Sequence, residues 1–130
     1  MITKSGEEVS PQSSGKHPVC WSKDPQAHSL RVELIDGSSF IFPYSNFEFA
    51  SFGGQDQQEF LNIAFATHTL RVAGRNLREI AIALQKASVD VLRELSNKYA
   101  TVLPNDSAFI ESIEVLRSGK VDVSKSQPSD

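Results

Sequence analysis

The apolar residues of this chain change their spacing once, near Gly74, and this change limits the folds that the chain can adopt. Before Gly74, apolar and polar residues alternate, as in the segment Leu30–Leu34, which is the two-residue period of a strand with one buried face. After Gly74, apolar residues recur at the spacing of one helix face. The pattern predicts several strands followed by one long helix, Leu77–Tyr99, which ends before Pro104.

The first two predicted strands form a hairpin, and the hydrophobic pattern selects the length of its loop. A two-residue loop would divide the apolar residues between the two faces of the hairpin. A three-residue loop, Ile35–Gly37, with its glycine in the left-handed conformation, keeps them on one face. This loop sets Val32 opposite Phe40 and Leu30 opposite Phe42.

Three more short strands are predicted before the helix, at Phe47–Phe49, Phe60–Ala66 and Leu70–Gly74. Short strands that are joined by local turns are typical of an antiparallel meander. We therefore predict an α+β fold, in which the long C-terminal helix covers a five-stranded bent antiparallel sheet or partly open small barrel.

The segment 106–117 fits two structures. The apolar residues Phe109, Ile113 and Leu116 have helical spacing. However, Ile113 and Val115 are β-branched, which favours a strand. We favour the short helix.

Composition sets the expected boundaries of the folded part. The first 27 residues hold three of the six prolines and few apolar side chains, and residues 119–130 are polar. Both segments, 1–27 and 119–130, are therefore expected to be flexible tails. A single domain is placed at 28–118, and the docking of Trp21 on it is left open.

The same composition bears on where the protein acts. Its only cysteine, Cys20, has no partner for an internal disulfide, as is usual in a reducing compartment. The sequence shows no secretory apolar segment, and no run approaches the roughly 18 apolar residues of a membrane span. The net charge of −3 disfavours general coating of nucleic acids or anionic membranes. We expect a cytoplasmic protein without a membrane partner.

Common catalytic and cofactor motifs are absent from the sequence. It contains no HExxH, GxSxG, CxxC, P-loop or GxGxxG pattern. Two histidines at strand ends, His28 and His68, are weak evidence for a metal. We therefore expect no metal, no cofactor and no enzymatic activity, and a small enzyme that uses His68 is the least favoured alternative.

The start of the predicted helix is the one local concentration of positive charge. Asn76 and Glu79 have the spacing of a capping box, which places the helix N-terminus there. Free backbone N–H groups and nearby guanidinium groups suit a phosphate or a carboxylate. Alternatively, the arginines pair with glutamates on an ordinary solvated surface. The candidate anion- or RNA-binding residues are Arg71, Arg75, Asn76, Arg78 and His68.

A second apolar stripe of the predicted helix faces away from the sheet. It includes Ile82, Val89 and Leu92, whereas a helix with one buried face carries polar residues at such positions. Either the C-terminal segment folds back over this stripe, or a second copy of the chain packs against it. The second alternative makes these three residues candidates for self-association, and we expect a homo-oligomer.

Two segments resemble the two-part motif of Sm-like RNA-binding proteins. They are the hairpin segment Val32–Gly37 and, further along the chain, Val72–Arg78. In that family a five-stranded, strongly bent sheet forms rings, and an arginine-glycine-asparagine loop contacts RNA. The resemblance covers roughly Leu30–Arg78 and implies that the arginines and the asparagine named above bind single-stranded RNA, aided by exposed aromatic residues. The residues themselves favour a non-catalytic small binding or assembly module that self-associates.

Overall fold

The computed structural model describes residues 19–55 and 57–117. In these residues it has eight strands, one α-helix and two short 3₁₀ turns. The strands are β1 (Trp21–Lys23), β2 (Ser29–Glu33), β3 (Ser39–Pro43), β4 (Phe47–Gln55), β5 (Gln58–Phe65), β6 (His68–Arg75), β7 (Val89–Arg93) and β8 (Phe109–Arg117). The helix α1 is Arg78–Gln85, and the 3₁₀ turns are Tyr44–Asn46 and Asn97–Tyr99.

The described strands belong to two sheets. The first sheet has the order β1-β7-β2-β3, and the second sheet has the order β4-β5-β6-β8. The second sheet is antiparallel throughout, whereas β2 and β7 of the first sheet pair in parallel. The predicted α+β fold, with one five-stranded sheet or barrel under a long helix, is therefore wrong. Residues 19–55 and 57–117 form a mostly β structure with one short helix.

The chain leaves the first sheet directly after β3. The 3₁₀ turn Tyr44–Asn46 redirects it, and the N–H of Ala66 donates to the carbonyl of Asn46 at 2.8 Å. As a result β4 pairs with β5 and not with β3. The alternation of apolar residues indicates each strand but not the strand with which it pairs. The strands predicted to form a single meander therefore belong to two sheets.

The hairpin of β2 and β3 has the predicted register. Val32 lies opposite Phe40 and Leu30 lies opposite Phe42. The loop is closed by a bond from the N–H of Leu34 to the carbonyl of Ser38 at 2.9 Å. Its glycine, Gly37, has a φ of 94°, which a side chain would disfavour. The three-residue loop is confirmed.

The two sheets and the helix share one hydrophobic core. Phe42 of the first sheet stacks on Phe65 of the second, with ring centroids 4.9 Å apart. The ring centroids of Tyr44 and Phe47 lie 6.5 and 5.8 Å from the centroid of the same Phe65 ring. Aromatic contacts of this kind add to the burial energy of the rings. The largest fully buried side chains of the core are Leu30, Val32, Leu61, Ile63, Phe65, Leu70, Val72, Leu77, Ile80, Leu84, Leu92 and Ile110.

The helix ends at Gln85, well before the predicted Tyr99. Ala87 has a left-handed φ of 50°, its N–H donates to the Leu84 carbonyl, and the Ser88 N–H donates to the Ala83 carbonyl. This pair of bonds is the Schellman termination, in which glycine is the usual left-handed residue. Because alanine stands there instead, the sequence contained no stop signal.

The residues after this stop form β7, which lies between β1 and β2. Val89 and Val91 are β-branched and favour a strand, and the helical spacing of Val89 and Leu92 did not distinguish the two structures. Both Val89 and Leu92 have no exposed surface in this strand. The predicted helix over Leu77–Tyr99 is therefore wrong beyond Gln85.

The segment for which a short helix was favoured is the strand β8, and the alternative of a strand is confirmed. It pairs with β6 from Phe109 to Arg117. The carboxylate of Glu94 accepts hydrogen bonds from the N–H of Ile113 and from the N–H of Ile35, both at 2.9 Å. This carboxylate therefore links β8 to the loop of the first hairpin.

The ordered structure includes residues that lie before the predicted domain start at residue 28. Trp21–Lys23 pairs with β7 as the strand β1, and Trp21 packs against the core. Cys20 is 2% exposed, and its Sγ donates to the carbonyl of Ala108 at 3.4 Å. The rest of the predicted N-terminal tail, residues 1–18, and the predicted C-terminal tail, 119–130, lie outside the described residues.

Candidate functional site

The outer face of the second sheet carries two of the candidate arginines. Along β6, Leu70, Val72 and Gly74 are buried, so the alternating positions turn away from the core. These outward positions include Arg71 and Arg75. Because the two arginines are four residues apart on one strand, they lie about 13 Å apart along it.

Arg71 borders a depression of about 240 Å³. Its guanidinium lies over the ring of Phe60 on β5, 5.5 Å from the centroid. The small residues Ala73 and Ser112 line the depression between the strands, and they are directly paired across β6 and β8. Glu114 of β8 lies opposite Arg71 and lines the same depression. We call this the Arg71 depression.

Arg75 borders a second depression, also of about 240 Å³, which we call the Arg75 depression. The guanidinium lies 5.1 Å from the centroid of the Phe109 ring, and its Nη2 donates to the carbonyl of Ala100 at 2.6 Å. Its Nε is buried and has no hydrogen-bond partner in the described residues. A buried donor without a partner costs about 1–3 kcal/mol.

The carboxylate of the Arg75 depression is placed by an irregularity in β8. The register of β8 against β6 shifts between Gly74 and Ala73, which leaves Glu111 as an extra residue in β8. Such a bulge turns a side chain out of its regular direction. Glu111 lines the depression and accepts a hydrogen bond from Nε2 of Gln58 at 2.7 Å. One of its carboxylate oxygens is thus engaged.

The close contact of β6 and β8 at this point requires a glycine. A Cβ on Gly74 would overlap the carbonyl oxygen of Phe109. The glycine lets the backbone of β8 approach β6 and keeps the Phe109 ring under the guanidinium of Arg75.

The two depressions share three types of residue. Each has an arginine from β6 over a phenylalanine ring, and each has a glutamate from β8. In the part of the chain that the structure describes, no carboxylate oxygen lies within 4.0 Å of either guanidinium. The donors of both arginines are therefore not saturated by ion pairs.

The other candidate residues of this group do not join the two depressions. Asn76 has a left-handed φ of 57°, and its Nδ2 donates to the carbonyls of Asn105 and Ser107 at 2.6 and 3.0 Å. The predicted capping box is absent: Leu77 is the cap residue of α1, it makes no side-chain cap hydrogen bond, and its N–H donates to the Glu59 carboxylate at 2.8 Å. Asn76 thus holds the loop before β8.

Arg78 and His68 also lie apart from the depressions. Arg78 is exposed and begins α1. His68 lies at the opposite end of β6 from Arg75, where its ring is 5.6 Å from that of Phe42. Its Nδ1 is 2.8 Å from the hydroxyl of Thr67. Of the five candidates, only Arg71 and Arg75 lie on the same face of the second sheet, and each borders its own depression.

The three self-association candidates do not form a common surface. Ile82 is 38% exposed on α1, but Val89 and Leu92 are fully buried in β7. The stripe that predicted an interface between copies depended on a helix that ends before Val89.

Cys20 is not placed for nucleophilic chemistry. Its burial raises the pKa of the thiol to about 11, against a smaller opposing effect of hydrogen bonds and of Arg93. Because the thiolate is the reactive form, this side chain is an apolar member of the core.

Sequence reasoning missed the aromatic and the acidic residues of the two depressions. Phe60 had a detectable signal, since it is out of phase with the buried Leu61 and Ile63 on the same strand. Phe109, Glu111 and Glu114 had none, because nothing in the sequence pairs β8 with β6.

Comparison with known proteins gives no relative: the chain matches no model of a protein family, no curated protein and no solved structure. Within residues 19–55 and 57–117, no helix has the length and apolar character that a membrane span requires. The same residues contain no group of three or more His, Cys, Asp or Glu side chains arranged to hold a metal ion.

Proposed function

We propose that this protein is a non-catalytic binding module that holds an extended polypeptide segment on the outer face of its second sheet. The observation that supports this proposal is that the Arg71 depression and the Arg75 depression each combine an arginine of β6 with a glutamate of β8 in one small area. The Arg71 depression also has the partly buried ring of Phe60. The Phe109 ring under Arg75 is 4% exposed.

An extended polypeptide matches this combination. Its carbonyl groups and acidic side chains accept from arginine, its N–H groups and basic side chains donate to glutamate, and its apolar side chains fit the small residues of the sheet. A strand rises about 3.3 Å per residue, so four residues span the distance from Arg71 to Arg75. The two depressions would contact positions four apart in the bound segment.

Single-stranded RNA is the second candidate. Two arginines, the Phe60 ring and the 59% exposed Phe49 lie on the outer face of the second sheet, and such a combination suits bases and phosphates. The Sm-like resemblance implies the same ligand. However, Glu111 and Glu114 stand beside the two arginines and would repel phosphate groups. This repulsion is the reason for preferring a polypeptide.

The test is a selection followed by titration. Random octapeptides displayed on phage are selected on the parent protein, and the enriched peptides are synthesised with a fluorescent label and titrated by polarisation. Fluorescent oligo-U is titrated in parallel. The double variant Arg71→Ala/Arg75→Ala is expected to weaken peptide binding about tenfold or more, as for central interface arginines. The matched control is Arg31→Ala, an exposed arginine of the first sheet, which should leave binding unchanged.

A second double variant separates the two ligands by the sign of its effect. Glu111→Gln/Glu114→Gln is expected to weaken peptide binding several-fold, because two charged acceptors are lost. The same variant would strengthen oligo-U binding, because a repulsion is removed. If no peptide is enriched and oligo-U binds more tightly to this variant, the ligand is RNA. If neither probe distinguishes the parent from the arginine variant, this face is not a binding site.

A further inference from the structure

A separate cavity of about 290 Å³ lies between α1 and the connection from β1 to β2. It shares no lining residue with the two depressions. Ala83 and Ser88, which are buried, form its base, and Pro25 and Ile82 form its apolar walls. Ile82 is the one large apolar residue of α1 that is exposed.

The wall that contains Pro25 is held by hydrogen bonds. The N–H of Ala27 donates to the Asp24 carbonyl at 3.0 Å, which closes a β-turn with proline at its favoured second position. The Asp24 carboxylate accepts from the N–H of Gln26 at 2.9 Å. The N–H of Asp24 donates to the Ser88 carbonyl at 2.7 Å and fixes the turn beside the end of the helix. The cavity is therefore preformed, which lowers the entropic cost of binding.

The charges around the cavity favour an anion. Lys23 and Lys86 line it, and Glu79 is the one carboxylate among the lining residues. Across the described residues, no carboxylate oxygen lies within 4.0 Å of either lysine. The final carbonyls of the helix do not oppose an anion strongly, because Ala83 and Leu84 already accept hydrogen bonds from the residues that follow.

We propose that this cavity binds a small amphipathic carboxylate, with its hydrocarbon body between Pro25 and Ile82 and its head group at Lys23 and Lys86. The volume is near the lower end of ligand pockets, which begins at about 300 Å³. This size suits a short acyl chain. A second copy of the chain would need a broad apolar surface, whereas α1 exposes a single large apolar side chain here.

The test uses octanoate as the probe, added to the ¹⁵N-labelled full chain and followed by amide chemical shifts. Saturable shifts are expected in residues 23–27 and 79–88. Octanol, which has the same number of carbon atoms but no charge, should bind about fivefold more weakly, since two exposed ion pairs are lost. Octylammonium should bind more weakly than octanol. The variant Lys23→Gln/Lys86→Gln should lower the affinity for octanoate to the affinity for octanol. The control Lys98→Gln, at an exposed lysine elsewhere, should leave the affinity for octanoate unchanged.

Three outcomes would overturn this proposal. In the first, octanoate produces no saturable shift, and in the second, octanol and octanoate bind equally tightly. Alternatively, the same amides shift as protein concentration rises, the mass from light scattering doubles, and Ile82→Asp restores the monomer; the occupant is then a second copy. The polypeptide proposal is independent of these results, because Arg71→Ala/Arg75→Ala should bind octanoate as the parent does.

Discussion

The outer faces of the two sheets use arginine in opposite ways. On the first sheet, Glu33 accepts from Arg31 at 2.9 Å and from Arg93 at 2.8 Å, and Arg93 also donates to the carbonyl of Val19. On the second sheet, Arg71 and Arg75 lie over phenylalanine rings, and among the described residues no carboxylate is within 4.0 Å of them.

The difference shows which arginines are engaged by a carboxylate of the fold and which keep donors for a ligand. The hydrogen bond from Arg93 holds the pKa of Glu33 below its usual range, with a smaller opposing effect of burial. The Glu33 group therefore stabilises the fold and has little capacity left for a ligand. On the second sheet, Arg71 is exposed beside its depression, whereas Arg75 is partly buried and donates one hydrogen bond, to the carbonyl of Ala100. Neither arginine is engaged by a carboxylate among the described residues, so both keep donors for an acceptor of a ligand.

The two sheets share one hydrophobic core, with Phe65 of the second sheet stacked on Phe42 of the first, so they should unfold as one cooperative unit. Phe65→Ala should destabilise the protein by about 3–5 kcal/mol, because the ring is buried and contacts aromatic residues from both sheets. Urea unfolding should show one transition by circular dichroism and by Trp21 fluorescence. Phe49→Ala, at a 59% exposed ring, is the control and should change stability by about 0.5 kcal/mol or less. Two separate transitions would contradict a shared core.

A change at Gly74 should disturb the second face alone. Gly74→Ala is expected to cost about 1–3 kcal/mol, since the new methyl group overlaps the carbonyl of Phe109 and forces β8 away from β6. Amide shifts should change along β8 and stay constant at Glu33. Gly53→Ala is the matched control, because no atom lies within 4 Å of its added Cβ. Equal stability of the two variants would show that the strands can separate without cost.

The ion pairs of the first face should make stability depend on pH. Because the pKa of Glu33 is lowered in the folded state, its contribution is present above the unfolded value of about 4.5 and is lost as pH falls through the folded pKa. Glu33→Gln should cost roughly 1 kcal/mol at pH 7 and should lose less stability than the parent on acidification below pH 4.5. Denaturant titrations at several pH values measure this, with the exposed Glu48→Gln as control. If the stability of the parent and that of Glu33→Gln depend on pH in the same way, the ion pairs of Glu33 do not contribute to stability.

The smallest effect is expected at Arg71. Arg71→Ala should change stability by about 0.5 kcal/mol or less, because an exposed cation–π contact is weak. Its effect should be smaller than that of Arg93→Ala, which removes the hydrogen bonds to Glu33 and Val19. If Arg71→Ala is the more destabilising of the two in denaturant titrations, the second face uses its arginine for structure and the comparison fails.

The local parts of the fold were predictable from the sequence. The register of β2 and β3 follows from alternation and from a glycine in a short loop. The end of the helix was not predictable in the same way. The left-handed position at Ala87 has no glycine, and the apolar residues at Val89 and Leu92 fit a helix face as well as a buried strand. Pattern alone could not decide between the two.

The candidate site was predictable only where it is local. Arg71 lies on the predicted strand Leu70–Gly74, whereas Arg75 was expected beside the start of the helix. The strand β6 includes Arg75, so the two arginines share a face. Their separation from Arg78 depends on Asn76, which adopts a left-handed conformation and not that of a helix cap. The glutamates of β8 come from a pairing across more than thirty intervening residues, and its register is set by packing that no short motif records.

The pairing of β2 with β7 also has a consequence for the order of assembly. Glu33 and Arg93 are partners separated by 60 positions, and closing such a loop costs entropy before any contact repays it. During synthesis from the N-terminus, the hairpin of β2 and β3 and the meander of β4, β5 and β6 can form early. Each sheet, however, takes a later strand: β7 completes the first and β8 the second. A growing chain therefore exposes an unfinished edge of the first sheet until β7 has left the ribosome, and an unfinished edge of the second sheet until β8 has left it. A protein truncated before β8 should aggregate through the unpaired edge of β6.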